Sequence, residues 1–212
     1  MTAPFNQLEE LMTLAPVIPV LTVPDVKMAV PMAKALVAGG LPVLEVTLRT
    51  EAALDVIKAI ATEVPDAIPG AGTVLNRAHL EAVAEAGGRF CVSPGSTPDL
   101  ILAAAETNMQ LLPGAVTATE VMNLLEQDIN YMKFFPAEAA GGMPVLKGFS
   151  APLSAARFCP TGGIKPGNAP DYLTLPNVLC VGGTWVCPQE ALQNGDWAKI
   201  ESLAREASQL NA

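Results

Sequence analysis

The chain has 212 residues, 50% of them hydrophobic and 16% charged, with a formal net charge of −9. That length can bury one substantial core, as one domain or two. The acidic balance argues against a nucleic-acid partner, and every apolar run is broken before the roughly 18 residues that a membrane-crossing helix needs.

The first segment, MTAPFNQLEELM, carries acidic residues where a signal peptide has its apolar region, so no leader is expected. A helix is expected over roughly 6–15 instead. Short apolar runs then recur along the chain. They are VIPVL from Val17, VLEVT from Val43, IPGAGT from Ile68 and RFCVSP from Arg89, then QLLPG from Gln110, YMKFF from Tyr131, RFCPT from Arg157 and VLCVGG from Val178. Successive starts lie 21 to 26 residues apart. Each gap holds one helix and two short loops and is too long for a tight hairpin, so the strands are expected to be parallel with helical crossovers.

The gaps carry helix signals. Pro31, inside VKMAVPMAKALVAGG, is expected to kink or restart that helix. Thr50 is a plausible cap for a helix over 55–61. Asn76 precedes HLEAVAEAGG, with Gly87 and Gly88 as its stop. Thr97-Pro98-Asp99 combines a cap with a first-turn proline, and Thr117 with Glu120 fits a capping box. Eight such units of uniform composition predict a single domain, residues 1–212, folded as a compact (β/α)8 TIM barrel with an extra N-terminal helix. An open doubly wound sheet is the runner-up. It wants a Gly-rich turn after the first strand, and VIPVLTVPD has none.

The four cysteines, Cys91, Cys159, Cys180 and Cys187, have no paired metal spacing. Three fall in predicted strands, and all read as buried reduced thiols of a cytoplasmic protein. His79 is the only histidine, lies in a helical segment and reads as a surface or capping residue. No metal and no other cofactor is expected.

In such a barrel alternate strand residues face the interior, and the site lies at the C-terminal strand ends. On that parity Glu45, Thr47 and Arg49 share one face. Lys133 shares a face with Tyr131 and Phe135, Thr73 with Ala71, and Thr161 with Cys159. Inward pointing would gather Glu45, Arg49, Lys133, Thr73 and Thr161 near the barrel mouth. The bland alternatives are a Lys133 that snorkels out of a core and a structural Glu45–Arg49 ion pair.

A lysine in an apolar strand, or beside a cation such as Arg49, becomes a nucleophile when its neutral form is favoured. Its amine can form a Schiff base with a ketone, and the protonated imine then accepts electrons as a neighbouring carbon–carbon bond breaks. One general acid–base group must shuttle the protons, and Glu45 is the carboxylate placed for it. Arg49 can grip a substrate carboxylate with two hydrogen bonds, and Thr73 can add a third. Phe134 and Phe135 are expected to wall a dry pocket. Gly162-Gly163 closes strand seven, and Gly182-Gly183 with Thr184 closes strand eight. These pairs read either as plain turns or as backbone that lets N–H groups approach a phosphate, helped by a short helix N-terminus.

The segments VPMAKALVAGG, LEVTLRT, GAGTVLN, KFFPAE, RFCPTGGI and GGTW resemble the 2-keto-3-deoxy-6-phosphogluconate (KDPG) aldolase family. That family is also described as 4-hydroxy-2-oxoglutarate (KHG) aldolase. The resemblance runs from Pro16 to the C-terminal helix. It implies a class I aldolase, a carbon–carbon lyase, on a (β/α)8 barrel that forms a homotrimer. It implies reversible cleavage of KDPG, a phosphorylated keto acid of the Entner–Doudoroff pathway, to pyruvate and glyceraldehyde 3-phosphate, and of KHG to pyruvate and glyoxylate. Carried over by residue, Lys133 is the Schiff-base lysine and Glu45 the general acid–base. Arg49 and Thr73 bind the pyruvyl carboxylate, Pro94 and Phe135 line that pocket, and Thr161 sits nearby. Gly162, Gly163, Gly182, Gly183 and Thr184 hold the phosphate. The family commonly has Ser where Thr184 stands, which keeps the hydroxyl and adds a methyl. The rival readings are an aldolase for the galactonate epimer, a phosphosugar epimerase or isomerase on the same fold, and a barrel that only binds sugar phosphates.

Overall fold

Leu8 and Met12, one turn apart and both buried, seat a short helix α1 (Leu8–Thr13) ahead of the first strand in the computed structural model, which describes residues 8–210. The expected start of this helix, at residues 6–7, lies outside the described residues. Strand β1 (Val17–Leu21) leads through a 3-10 turn (Val26–Met28) into α2 (Ala29–Ala38). Then β2 (Val43–Thr47) is followed by α3 (Ala53–Glu63), β3 (Ile68–Gly72) by α4 (Arg77–Glu85) and β4 (Phe90–Val92) by α5 (Pro98–Thr107). Next, β5 (Gln110–Leu112) is followed by α6 (Ala118–Leu125), β6 (Tyr131–Phe134) by α7 (Gly142–Ser150) and β7 (Arg157–Pro160) by α8 (Ala169–Leu173). Finally β8 (Val181–Gly183) leads to α9 (Gln189–Asn194) and α10 (Trp197–Ser208).

All strand pairs are parallel, as the spacing of the runs predicted. Six strands form one curled sheet in the order β5-β4-β3-β2-β1-β8, and β6 and β7 form a pair beside it. The order runs steadily in one direction, without the reversal that a doubly wound sheet would show, so the runner-up fold is excluded. The pair is joined to the sheet at both sides. Lys133 N–H donates to Pro113 O and Ala115 N–H to Lys133 O on the β5 side. On the β8 side Phe158 bridges to Val178 and Thr161 to Gly182. This seam takes up Val178 and Leu179, so β8 begins at Val181 and Cys180 lies just before it. The sequence run had started that strand three residues early.

Most local signals act where the sequence put them. Asn76, Thr97 and Thr117 cap α4, α5 and α6 with their side chains, and Glu120 returns the Thr117 bond to complete a capping box. Pro31 sits in the first turn of α2, directly after the 3-10 segment, where its missing N–H costs nothing. Thr50 does not cap α3. Its hydroxyl donates to Val23 O at 2.7 Å, and the helix starts at Ala53 without a side-chain cap. The bond across to the β1 loop outcompetes the local cap and ties two strand-end loops together.

The core is built from small aliphatic side chains of the strands and of the inner faces of α2 to α6. Phe134 and Phe158 meet edge to face within it, ring centroids 6.2 Å apart. All four cysteines are free and buried. Tyr131, at the start of β6, donates to Glu9 at 2.7 Å and ties α1 to that strand. Among the described residues no helix is long and apolar enough to cross a membrane.

Candidate active site

The centre of β2 and the centre of β6 meet through their polar side chains. Lys133 Nζ donates to Glu45 Oε1 at 3.0 Å, and the two residues are only 5% and 3% exposed. Neither could be held there alone, because an unpaired charge in an apolar interior is heavily penalised. The sheet makes room for the pair through Gly72, which lies beside Glu45 on β3. A Cβ there would come within 2.8 Å of the Glu45 Cγ and Cδ. Of the two charged residues expected beside Lys133, the carboxylate Glu45 is the one hydrogen-bonded to it, while Arg49 bonds Thr73.

Arg49 lies past the end of β2, in a turn closed by its N–H donating to Thr47 O. Its Nε donates to Thr73 Oγ1 at 3.0 Å. Strand parity does not extend to either residue. Beta-3 ends at Gly72, and Thr73 turns into the left-handed region at φ 63, where a β-branched residue is strained. Thr47, assigned to the same inward face, spends its hydroxyl on Leu21 O and Thr22 and so braces the β1 loop.

A pocket of about 100 Å³ opens above the ion pair. Its lining brings together Arg49, Lys133, Phe135, Thr161, Gly162, Gly163, Gly182 and Thr184 from the expected set. Glu45 and Thr73 are not part of the lining; each is hydrogen-bonded to a residue that is, Glu45 to Lys133 and Thr73 to Arg49. Pro94 does not line the pocket; it is exposed, and its backbone packs where a Gly114 side chain would lie. Phe135 faces the lysine, with Nζ 5.2 Å from the ring centroid. Phe134 does not join it, because alternation along β6 sends that ring to the helix side against Phe158. Two lining residues, Val20 and Ile164, carried no signal of their own in the sequence. Val20 is the β1 partner of Glu45 in the parallel register, which only the pairing reveals.

The glycine pairs are used differently. Gly162 and Gly163 have φ of 99° and 82°, which other residues avoid. Among the described residues the N–H groups of Gly162, Gly163 and Ile164 donate no hydrogen bond. Gly182 is required by close approach: a Cβ there would fall 3.0 Å from the Thr161 Cβ. No helix starts right after β8. A turn with Cys187 N–H donating to Thr184 O intervenes, and α9 begins only at Gln189, after Pro188.

Near the pair, the Cys180 thiol is pushed well up by its hydrogen bond to Cys159, by burial and by the charges of Cys159 and Glu45. Among the described residues no three of His, Cys, Asp and Glu gather to hold a metal ion. His79 Nδ1 accepts the Leu75 N–H at 3.3 Å in the turn before α4.

Residues 8–203 match the family model for KDPG and KHG aldolase. The KHG/KDPG aldolase of Escherichia coli K12 is 55% identical over 199 residues, covering 94% of this chain and 93% of its own. The KDPG aldolase of Zymomonas mobilis ZM4, solved with 3-phosphoglycerate, has a TM-score of 0.92 and 51% identity, covering 98% of this chain and 97% of its own. The KDPG aldolase of Legionella pneumophila, solved with pyruvate as a covalent carbinolamine, has a TM-score of 0.93 and 43% identity, covering 98% and 99%. The chain belongs to the KDPG and KHG aldolase family.

Proposed function

We propose that this enzyme is a class I aldolase that reversibly cleaves KDPG to pyruvate and glyceraldehyde 3-phosphate, and KHG to pyruvate and glyoxylate. The observation that carries this reading is the buried Lys133–Glu45 pair at the floor of a small pocket. The carbinolamine of the Legionella relative and the double name of the Escherichia coli relative support it.

The residues then have the following parts. Glu45 takes the proton that Lys133 shares with it, and the amine adds to the C2 ketone. Glu45 returns the proton as hydroxide leaves as water, which gives the protonated imine. Glu45 next accepts the C4 hydroxyl proton, the C3–C4 bond breaks, and its electrons move into the imine to give an enamine and the free aldehyde. Protonation of C3 by Glu45 and hydrolysis of the imine release pyruvate. Arg49 holds the carboxylate of the pyruvyl end, and Thr73 holds Arg49 in place. Phe135 and Val20 keep water from the imine. At the other end of the pocket Gly162, Gly163, Ile164, Gly182 and Thr184 receive the phosphate, with three undonated N–H groups as the support for that role; Gly183, expected with them, lies outside the lining, where the Trp185 ring fills the space of a side chain. Thr161 fixes the distance between the two glycine pairs.

Incubation with pyruvate and borohydride tests the reading. The expected result is a stable adduct on the peptide that holds Lys133, by mass; an unmodified Lys133 peptide sinks it. A phosphosugar epimerase or a binding-only barrel would give no adduct.

The strand pairing at both sides of β6–β7 supports a closed (β/α)8 barrel with α1 as an added helix, in one domain over 1–212. Exposed Leu75 in the loop before α4, Leu102 on α5 and Met122 on α6 suit a surface covered in a homotrimer. Sedimentation should give three times the 22.0 kDa chain mass, and a monomer would exclude the trimer. Four free cysteines suit a reducing cytoplasm, which cell fractionation checks.

A further inference from the structure

The KFFPAE segment ends in Glu138, a carboxylate that the chemistry above leaves unused. It lies four residues past the end of β6. Its N–H donates to Gly162 O at 3.1 Å, and the Ala137 N–H beside it donates to Thr161 O at 2.8 Å. The carbonyl side of the glycine loop is thus held by the β6 loop, which leaves its N–H groups for the pocket. The Glu138 stem lies flat on Gly163, where a Cβ would come within 2.8 Å of the Glu138 Cβ. Beyond the stem, the carboxylate Oε1 accepts the Tyr172 hydroxyl. Tyr172 is 1% exposed and belongs to α8, the helix that follows the loop. Burial, and then the carboxylate it serves, push its phenol well up, so it stays a donor throughout the working pH range.

We propose that Glu138 is a positioning residue for the phosphate end of the substrate, clamping the Gly162–Gly163 loop between the β6 loop and Tyr172 of α8. The inference rests on the phosphate-site reading given above. The loop is made of residues with wide backbone freedom, so its binding shape must be imposed from outside. The Glu138 backbone fixes one carbonyl, its stem covers the loop, and its carboxylate fixes the stem. Glu138 is a negative group near a site for an anion, and its effect on the phosphate is unfavourable unless the clamp outweighs it. That opposition makes the sign of the effect diagnostic.

The test measures kcat and KM for KDPG and for its unphosphorylated counterpart, in the wild type, Glu138→Ala, Glu138→Gln and Tyr172→Phe. The expected result for Glu138→Ala and Tyr172→Phe is a KM for KDPG raised about tenfold, the loss of a fraction of one charge-assisted hydrogen bond. Their kcat, and both constants for the unphosphorylated acid, stay near wild type. Glu138→Gln keeps an oxygen that accepts from Tyr172 and should restore a KM at or below that of the wild type. A wild type with equal efficiency on both substrates overturns the phosphate site itself, and the clamp with it. A wild type that prefers KDPG, with an unchanged or lowered KM in Glu138→Ala, overturns the clamp alone. If Glu138→Ala does not fold, Tyr172→Phe, which removes a single hydroxyl, decides by the same criteria.

Discussion

Lys133 and Glu45, 88 residues apart in the chain, are joined by a hydrogen bond of 3.0 Å inside the apolar interior. Each makes the other's burial tolerable. On the proposed mechanism this contact lets the carboxylate exchange a proton with the amine and then serve the substrate at the same spot.

Replacing Glu45 by Gln keeps the shape and removes the base. Turnover of KDPG should fall by about 10²- to 10⁴-fold, while pyruvate and borohydride still label Lys133. Stopped assays and peptide mass together check this; turnover at the wild-type rate would remove Glu45 from its role.

Gly72→Ala reaches the same group without touching it. The new methyl would press on the Glu45 carboxylate and force it away from Lys133. The expected outcome is a loss of turnover close to that of Glu45→Gln, with a lowered melting temperature. An active, fully stable Gly72→Ala protein would show that the carboxylate has another resting place.

Arg49 and Thr73 predict a binding phenotype. Arg49→Ala should raise the KM for KDPG and KHG alike, since both present the pyruvyl carboxylate, by about 10- to 100-fold. Arg49→Lys should recover little, because a lysine cannot offer two parallel donors while also bonding Thr73. Steady-state kinetics on the two substrates decides it, and a defect confined to KDPG would move Arg49 to the phosphate end.

The capping box of α6 gives a stability prediction with a pH sign. Burial raises the Glu120 carboxyl, but bonds from Val116 N–H, Thr117 N–H and the Thr117 hydroxyl outweigh it and hold the group below its ordinary 4.5. A lowered folded value means that the carboxylate stabilises the fold above about pH 4.5 and loses that contribution as pH falls further. Thr117→Ala should cost about 1 kcal/mol near neutrality. The stability advantage of wild type over Glu120→Gln should shrink as urea melts are repeated from pH 7 down to pH 3; a gap that widened would contradict the assignment.

Thiol chemistry checks the core. Burial pushes Cys91 and Cys187 up to about 12, so in the native protein both should resist iodoacetamide at pH 8 and react once unfolded. Rapid native labelling of Cys91 would contradict its place between β3 and β5.

The sequence by itself determined the eight strand–helix units, the caps at Asn76, Thr97 and Thr117, and the choice of Lys133 and Glu45 as the polar pair of the interior. These rest on alternation along a strand, on side chains that bond their own backbone a turn away, and on reactive groups set in apolar runs. Both phenylalanines of KFFPAE are expected at the pocket, yet alternation along β6 sends Phe134 to Phe158 and leaves only Phe135 in the lining. Only the tertiary structure decided what depends on a distant partner. It gave Thr50 to Val23 instead of to its own helix. It turned Thr73 out of the strand to meet Arg49, left Pro94 outside the pocket and brought in Val20 through its register with Glu45. It also set Glu138 against Tyr172. A hydrogen bond between loops has no period along the chain, so its two ends stay unreadable until the strands bring them together.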